Sequence, residues 1–151
     1  MRVRTHNVAT AAYERVAGHR EDENNAKQRY GALAHRLPGM ILESGLAQAT
    51  GFLLAKGNRE HLALLDDLRG ILHAAGATTA ADREGLHQEI ITGNLQRTML
   101  LTRQALEAAG WLKRYAQGVL RVDSTGEQST GDEVDGDAGP ASADPTSGGA
   151  R

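Results

Sequence analysis

Apolar side chains recur every three or four residues over the first 122 positions, and this spacing restricts the fold more than any other feature. Residues at that interval share one face of an α-helix. No segment alternates apolar and polar residues between turn signals, as a half-buried strand would. Aromatic residues make up only 3% of the chain, so Leu, Ala and Ile must fill the core. Because Ala and Leu are strong helix formers, the sequence predicts an all-α protein.

The spacing predicts that residues 1–122 form a compact bundle of about five or six helices. Pro38 is expected to interrupt the second segment, so that a new helix begins near it. Gly45 predicts either a local break or the close approach of another helix. Gly110 predicts a kink or a helix end, and Gly57 is expected to end the segment before it.

Each segment carries an apolar stripe along one face. In chain order the stripes are Ala9, Tyr13 and Val16; Tyr30, Leu33 and Leu37; Leu42, Leu46, Ala49 and Leu53; Leu65, Leu68, Leu72 and Ala75; Ile91, Leu95, Thr98, Thr102 and Leu106; and Leu112, Tyr115, Ala116, Val119 and Leu120. Asp82 or Thr79 is expected to cap one long helix that carries the fifth stripe. The sixth stripe belongs to a helix from Trp111 to about Val122, whose opposite side is basic.

The last part of the chain differs in composition from the rest. Residues 123–151 are rich in Gly, Ser, Thr, Asp and Pro, and Val134 is their only large aliphatic residue. Such a segment buries too little apolar area to offset the entropy of ordering, so we predict a disordered acidic tail. Seven acids and one base lie in this tail. The remaining 16 bases and 12 acids give residues 1–122 a net charge of about +4, which suits contact with a polyanion or an ordinary solvated surface.

The sequence contains no recognisable catalytic or cofactor pattern. It has no cysteine, no phosphate-binding glycine loop and no Gly-Xaa-Ser-Xaa-Gly. No two of its six histidines are four residues apart, the spacing that places two metal ligands on one helical face. The acidic pair Asp66-Asp67 is interpreted as part of a solvated face. We therefore predict no catalytic residue, no metal site and no cofactor.

The sequence also predicts a cytoplasmic protein without a membrane segment. No apolar run approaches the roughly 20 residues that a transmembrane helix needs. The basic residues near the N-terminus are not followed by the apolar core of a secretory signal.

Two stretches of sequence point to a known family. The first is RYGALAHRLP at residues 29–38, which continues to GLAQATGFL at residues 45–53. The second is LTRQAL at residues 101–106, followed by WLKRYA at residues 111–116. In this order and spacing they resemble the Cmr small-subunit family of type III-B CRISPR effector complexes. The resemblance extends over residues 13–120.

The resemblance implies a helical bundle without enzymatic activity that serves antiviral defence. Several copies would stack beside larger subunits, and the assembly would hold a guide RNA and its target RNA while other subunits cleave. Basic side chains would contact RNA phosphates, which carry no sequence information. The candidates for this contact are Arg29, Arg36, Lys56, Arg103, Lys113 and Arg114.

Other interpretations of these residues remain open. Arg103 is placed to pair with Glu107, four residues later. Trp111 and Tyr115 are more readily interpreted as core or subunit-contact residues than as rings that stack on bases. A helical DNA-binding regulator would need a helix-turn-helix, for which the junction at residues 57–58 is the nearest candidate. A small helical enzyme would need an enclosed pocket where charges such as Arg103 and Glu107 converge.

Overall fold

Six helices form the part of the chain that the structure describes. The computed structural model describes the backbone of residues 2–123 and the side chains of residues 7–123. The helices are α1 (Arg2–Ala17), α2 (Asn24–Ser44), α3 (Leu46–Lys56), α4 (Arg59–Ala74), α5 (Arg83–Thr92) and α6 (Leu95–Gly118). The prediction of an all-α bundle is confirmed. The predicted acidic tail lies outside the described residues, apart from its first residue, Asp123.

Helix α4 lies at the centre of the bundle and contacts the other five helices. Its buried side chains include Leu64, Leu65, Leu68, Ile71 and Leu72, so apolar residues cover more than one side of it. A helix with so wide an apolar surface is stable only when neighbours surround it. Helix α6 also packs on both α1 and α2, and these helices close the core around α4. No helix among the described residues is long and apolar enough to cross a membrane.

Helix α2 continues through Pro38, so the prediction of a new helix near this residue is wrong. Proline lacks the N–H that would bond to Ala34 and costs about 3 kcal/mol inside a helix. The neighbouring side chains Leu37 and Ile41 are fully buried, and each buried side chain of this size contributes about 1.5–3 kcal/mol. Tertiary packing therefore outweighs the local cost of the proline.

The helix breaks instead at Gly45. For this residue the sequence predicts either a local break or the close approach of another helix, and the structure shows the break. Gly45 has a φ of 85°, which side chains disfavour, and it separates α2 from α3. A Cβ atom there would meet nothing within 4 Å, so backbone conformation requires the glycine and close packing does not. Gly57 ends α3 in the left-handed conformation, as predicted.

The predicted long helix after Asp82 is two helices. Asp82 does cap α5, because its side chain accepts a hydrogen bond from the Gly85 amide at 2.7 Å. However, the chain breaks after Thr92, and Asn94 caps α6 by accepting from the Arg97 amide at 2.8 Å. The first two members of the fifth stripe are therefore exposed, Ile91 by 52% and Leu95 by 75%, whereas Leu106 still packs against the core. Gly110 does not end α6, which runs on to Gly118.

The first stripe is correct at Val16 but wrong at Tyr13, whereas the last is correct. Within residues 7–17 of α1 the buried residues are Val8, Ala12 and Val16, which leaves Tyr13 41% exposed on the side of the helix. In α6 the predicted residues Leu112 and Ala116 are buried, as is Leu120 just after the helix, and the basic side is exposed.

After α6 the chain turns back against α2. A Cβ atom on Gly31 would lie 2.5 Å from the Cβ of Val122, so only glycine permits this contact. His35 Nε2 hydrogen-bonds to the Val122 carbonyl at 3.0 Å. The acidic tail therefore begins beside the middle of α2.

Candidate nucleic-acid interface

The structure places all six predicted RNA-contacting residues at the exposed surface. Among the described residues, none of the six forms an ion pair. They separate into two groups by position. Arg29, Arg36 and Lys56 lie on α2 and α3 near the start of α4, and with Arg59 they form what we name the α4 surface. Arg103, Lys113 and Arg114 lie on α6 and form the α6 surface.

The α4 surface gathers positive charge around the first turn of α4. Arg29 and Arg59 line a cavity of about 470 Å³ between the α1–α2 connection and this turn. Three acids line the same cavity, so its charge is mixed: Asp22, Glu23 and Glu60. Burial lowers the pKa of His61, and the nearby charges of Lys56 and Arg36 lower it further. The sequence prediction omitted Arg59, although this residue directly follows the junction that the glycine pattern marks.

The α6 surface extends along one helix. Arg103 and Arg114 are eleven residues apart, or about three turns, so both lie on the same side of α6 and about 16 Å from each other. Arg103 forms no ion pair with Glu107 in the described part of the chain, which leaves its guanidinium open to a ligand. Lys113 is exposed beside Arg114.

A row of aromatic and arginine side chains in contact lies where α1 packs on α6. Its five members are Arg20, Tyr13, Tyr115, Trp111 and Arg114, and we name it the aromatic ladder. The Arg20 guanidinium lies 5.6 Å from the Tyr13 ring centroid, and this ring meets Tyr115 edge-on at 5.6 Å. Tyr115 stacks on Trp111 at 5.5 Å, and the Arg114 guanidinium lies 4.9 Å from the Trp111 centroid.

The ladder includes residues that sequence reasoning did not assign to the site. Trp111 and Tyr115 are half-buried. They are therefore neither fully buried core residues nor fully exposed rings. Tyr13 was assigned to the apolar stripe and Arg20 to no site. The one sequence signal for this pair is their spacing of seven residues, which is two helical turns.

A second polar cluster is buried and holds α1, α2 and α4 together. Asp67 is only 6% exposed, and its carboxylate accepts from the Tyr30 hydroxyl at 2.5 Å and lies 2.8 Å from His19 Nε2. Arg15 approaches the same carboxylate at 3.8 Å. The other ring nitrogen of His19 lies 2.9 Å from Asp22. We name these five side chains the Asp67 network.

The environment of the network alters two pKa values. Burial by itself would lower the pKa of His19, but the hydrogen bonds to Asp67 and Asp22 outweigh it and raise the pKa above its ordinary 6.5. Burial, together with the Asp67 charge, raises the pKa of Tyr30 well above its usual range. The Asp67 network therefore favours a protonated His19 that bridges two carboxylates.

The interpretation of Asp66-Asp67 as a solvated face is wrong for Asp67. Asp67 is buried in the network, and Asp66 forms a bidentate ion pair with Arg83, at 2.8 and 2.6 Å. The two adjacent side chains point in different directions from α4, so only one of them enters the core.

Comparison with known proteins decides the family. Residues 4–119 match the family described as CRISPR-associated protein (Cas_Cmr5). The chain belongs to the Cmr5 family. A curated relative from Thermus thermophilus, named CRISPR system Cmr subunit Cmr5, is 33% identical over 120 residues, which cover 80% of this chain and 98% of the relative. The crystal structure of a Cmr5-family protein from Thermus thermophilus has a TM-score of 0.69 and 32% identity, over 80% of this chain and 99% of that one.

The predicted membership of the Cmr small-subunit family is thereby confirmed. All six candidate residues and the aromatic ladder lie within the matched residues 4–119 of this Cmr5-family chain. The acidic tail lies beyond them.

The Cmr5-family fold also bears on the two competing interpretations. Helix α4 follows the residue 57–58 junction, and it packs against all five other helices, so it is not free to enter a DNA groove. The cavity at the α4 surface is lined by neither Arg103 nor Glu107, the pair considered for an enzyme. Of its lining residues, His19, Asp22 and Tyr30 already bond within the Asp67 network. In the described part of the chain, no group of three or more His, Asp or Glu side chains is placed to hold a metal ion.

Proposed function

We propose that this Cmr5-family chain is a non-catalytic structural subunit of a type III-B CRISPR effector complex in the cytoplasm. Several copies stack beside larger subunits and together line a groove that holds guide RNA and target RNA. The contribution of this subunit is protein contact and a basic lining, and cleavage belongs to other subunits.

The observation that carries this proposal is the state of the exposed cations. Six predicted arginine and lysine side chains reach the surface without an ion pair in residues 7–123, although 13 of the 19 acidic residues lie in that range. By contrast, Arg83 and Arg97 are engaged by Asp66 and Glu89. Unpaired cations attract the phosphates of a nucleic acid whatever its base sequence, and their binding releases counterions from the nucleic acid. Base pairing between guide and target then supplies the specificity.

The polar groups of the interior support a structural role. Asp67, His19 and Tyr30 are arranged so that each satisfies another, and this arrangement joins α2 and α4 to the α1–α2 connection. Buried polar groups that bond to one another in this way are typical of a structural role.

A matched pair of double variants tests the proposal in the reconstituted complex. Lys113→Gln with Arg114→Gln removes two unpaired cations from the α6 surface. Arg83→Gln with Arg97→Gln removes two paired cations and the same net charge. We expect the first to weaken target-RNA binding at least about tenfold and to reduce the salt slope by about two for each copy that contacts the RNA, and the second to change binding little.

The result should be the same for unrelated guide and target sequences, because phosphate contacts do not read bases. Circular dichroism and gel filtration establish that both variants fold and assemble. Unchanged affinity and salt slope in the first variant, or equal losses in both, would contradict a role of the α6 surface in RNA binding.

A further inference from the structure

The aromatic ladder concentrates the aromatic residues of this chain at one surface. The protein has five aromatic residues of the Phe, Trp and Tyr types, and three of them lie in the ladder, including the only tryptophan. The fully buried core consists mainly of Leu and Ala, whereas Trp111 and Tyr115 pack half-buried against its edge and Tyr13 is 41% exposed. Trp, Tyr and Arg are the residues that most often supply binding energy at interfaces. The composition of the ladder is therefore that of a contact surface.

The two ends of the ladder are guanidinium groups held by rings. Arg114 lies over Trp111, and Arg20 lies over Tyr13 and also donates a hydrogen bond to its hydroxyl at 3.0 Å. Neither arginine has a carboxylate partner among the described residues. Each planar cation is thus positioned before any ligand arrives, so binding costs less side-chain entropy.

We infer that the aromatic ladder is a stacking platform for unpaired bases of an RNA strand whose phosphates lie on the α6 surface. This inference rests on the proposed function and assigns part of its surface to bases. Nucleobases stack on aromatic rings and on the planes of arginine guanidinium groups. Arg114 belongs to both the α6 surface and the ladder, so a single strand can contact both.

Charge and shape together favour RNA over a protein partner as the occupant. An acidic protein segment could pair with the arginines, but its carboxylates would leave the ring and guanidinium planes without a stacking partner. A nucleotide strand satisfies both features, since its phosphates can reach Lys113 and its bases are flat. The platform should accept every base, because each has a π-face.

The single tryptophan provides a direct test with the full-length protein. Its fluorescence is titrated at low salt with a single-stranded oligoribonucleotide and with an abasic ribose-phosphate strand of equal length. The two strands carry the same phosphates but differ in bases. We expect the RNA to quench Trp111 emission and to bind about tenfold more tightly, whereas the abasic strand binds without quenching.

Two neighbouring substitutions separate stacking from charge. Arg114→Lys keeps the charge but removes the guanidinium plane, so RNA binding should fall to the level of the abasic strand with an unchanged salt slope. Lys113→Gln removes a charge outside the ladder. It should reduce the salt slope by about one and leave the quenching at saturation unchanged.

Several results would overturn the inference. Equal binding of both strands without quenching would show that bases do not stack on the ladder, while the phosphate contacts of the proposed function would stand. Failure of both strands to bind would remove the ladder as an RNA site, and the complex assay above would judge the proposed function separately. Emission that changes when partner subunits are added without RNA, and then no longer responds to RNA, would assign the ladder to a protein interface.

Discussion

The Asp67 network and the aromatic ladder contain similar residues but have different roles. Each joins α1 to another helix, and each combines tyrosine with arginine. In the network, a buried carboxylate accepts from Tyr30 and pairs with His19. The ladder contains no acid, so its arginines rest on rings and remain exposed. The presence of one buried acid therefore decides whether such residues stabilise the fold or stay available for binding.

The largest expected effect comes from removing that acid. Asp67→Ala leaves the buried Tyr30 hydroxyl without its acceptor and removes one of the two carboxylates that bond to His19, so the free energy of unfolding should fall by about 3–5 kcal/mol. The matched control is Asp66→Ala at the adjacent position. Asp66 is 37% exposed and pairs at the surface with Arg83, and its loss should cost about 0–1 kcal/mol.

Denaturant unfolding of both variants measures this difference. Folded Asp67→Ala protein should still show the RNA-dependent quenching of Trp111, because the ladder does not use the network. Equal destabilisation by the two substitutions would mean that the network does not stabilise the fold. The proposed difference in role between the Asp67 network and the aromatic ladder would then be wrong.

A change of pH should have a smaller effect on the free energy of unfolding. Of the two regions compared, only the Asp67 network should respond to it. The pKa of His19 is raised in the folded state, so protonation of this residue stabilises the fold. This contribution is fully present below the unfolded pKa near 6.5 and is lost as pH rises through the higher folded pKa. Each pKa unit of difference corresponds to about 1.4 kcal/mol.

The measurement compares the wild type with His19→Gln between about pH 8 and about pH 6, above the range where carboxylates titrate. The wild type should gain stability relative to the variant as pH falls. The subtraction is needed because His61, whose pKa is lowered, responds in the opposite direction. A difference that is constant with pH would show that His19 is not protonated preferentially in the folded state.

The sequence predicts most of the fold, because apolar spacing reports directly which faces can be buried. It fails where a local rule competes with packing. Pro38 breaks helices in isolation, but burial of Leu37 and Ile41 keeps α2 continuous. The opposite error occurs at residues 93–94, where the apolar spacing continues across a break that Asn94 caps.

The candidate site is predictable only in part, for a similar reason. Exposure of the six cations follows from their position opposite apolar stripes, which sequence spacing gives. The different fates of Asp66 and Asp67 depend on where α1 and α2 meet α4. The ladder depends on Tyr13 meeting Tyr115, two residues at opposite ends of the described chain. Neither contact leaves a signal in local sequence.

The last prediction concerns the stability of α6, the helix that carries three of the five ladder residues. Gly110 lies inside α6 directly before Trp111, and a Cβ atom there would meet nothing within 4 Å. Gly110→Ala should therefore add about 0.5–1 kcal/mol of stability by restricting the unfolded chain and favouring the helix. Gly31→Ala is the matched control, because its Cβ would lie 2.5 Å from Val122 and should destabilise the protein. Thermal unfolding distinguishes the two. If the ladder binds bases in the geometry seen here, the stiffer helix of Gly110→Ala keeps its quenching by RNA, and loss of that quenching in a more stable protein would show that the bound ladder requires a different shape of α6.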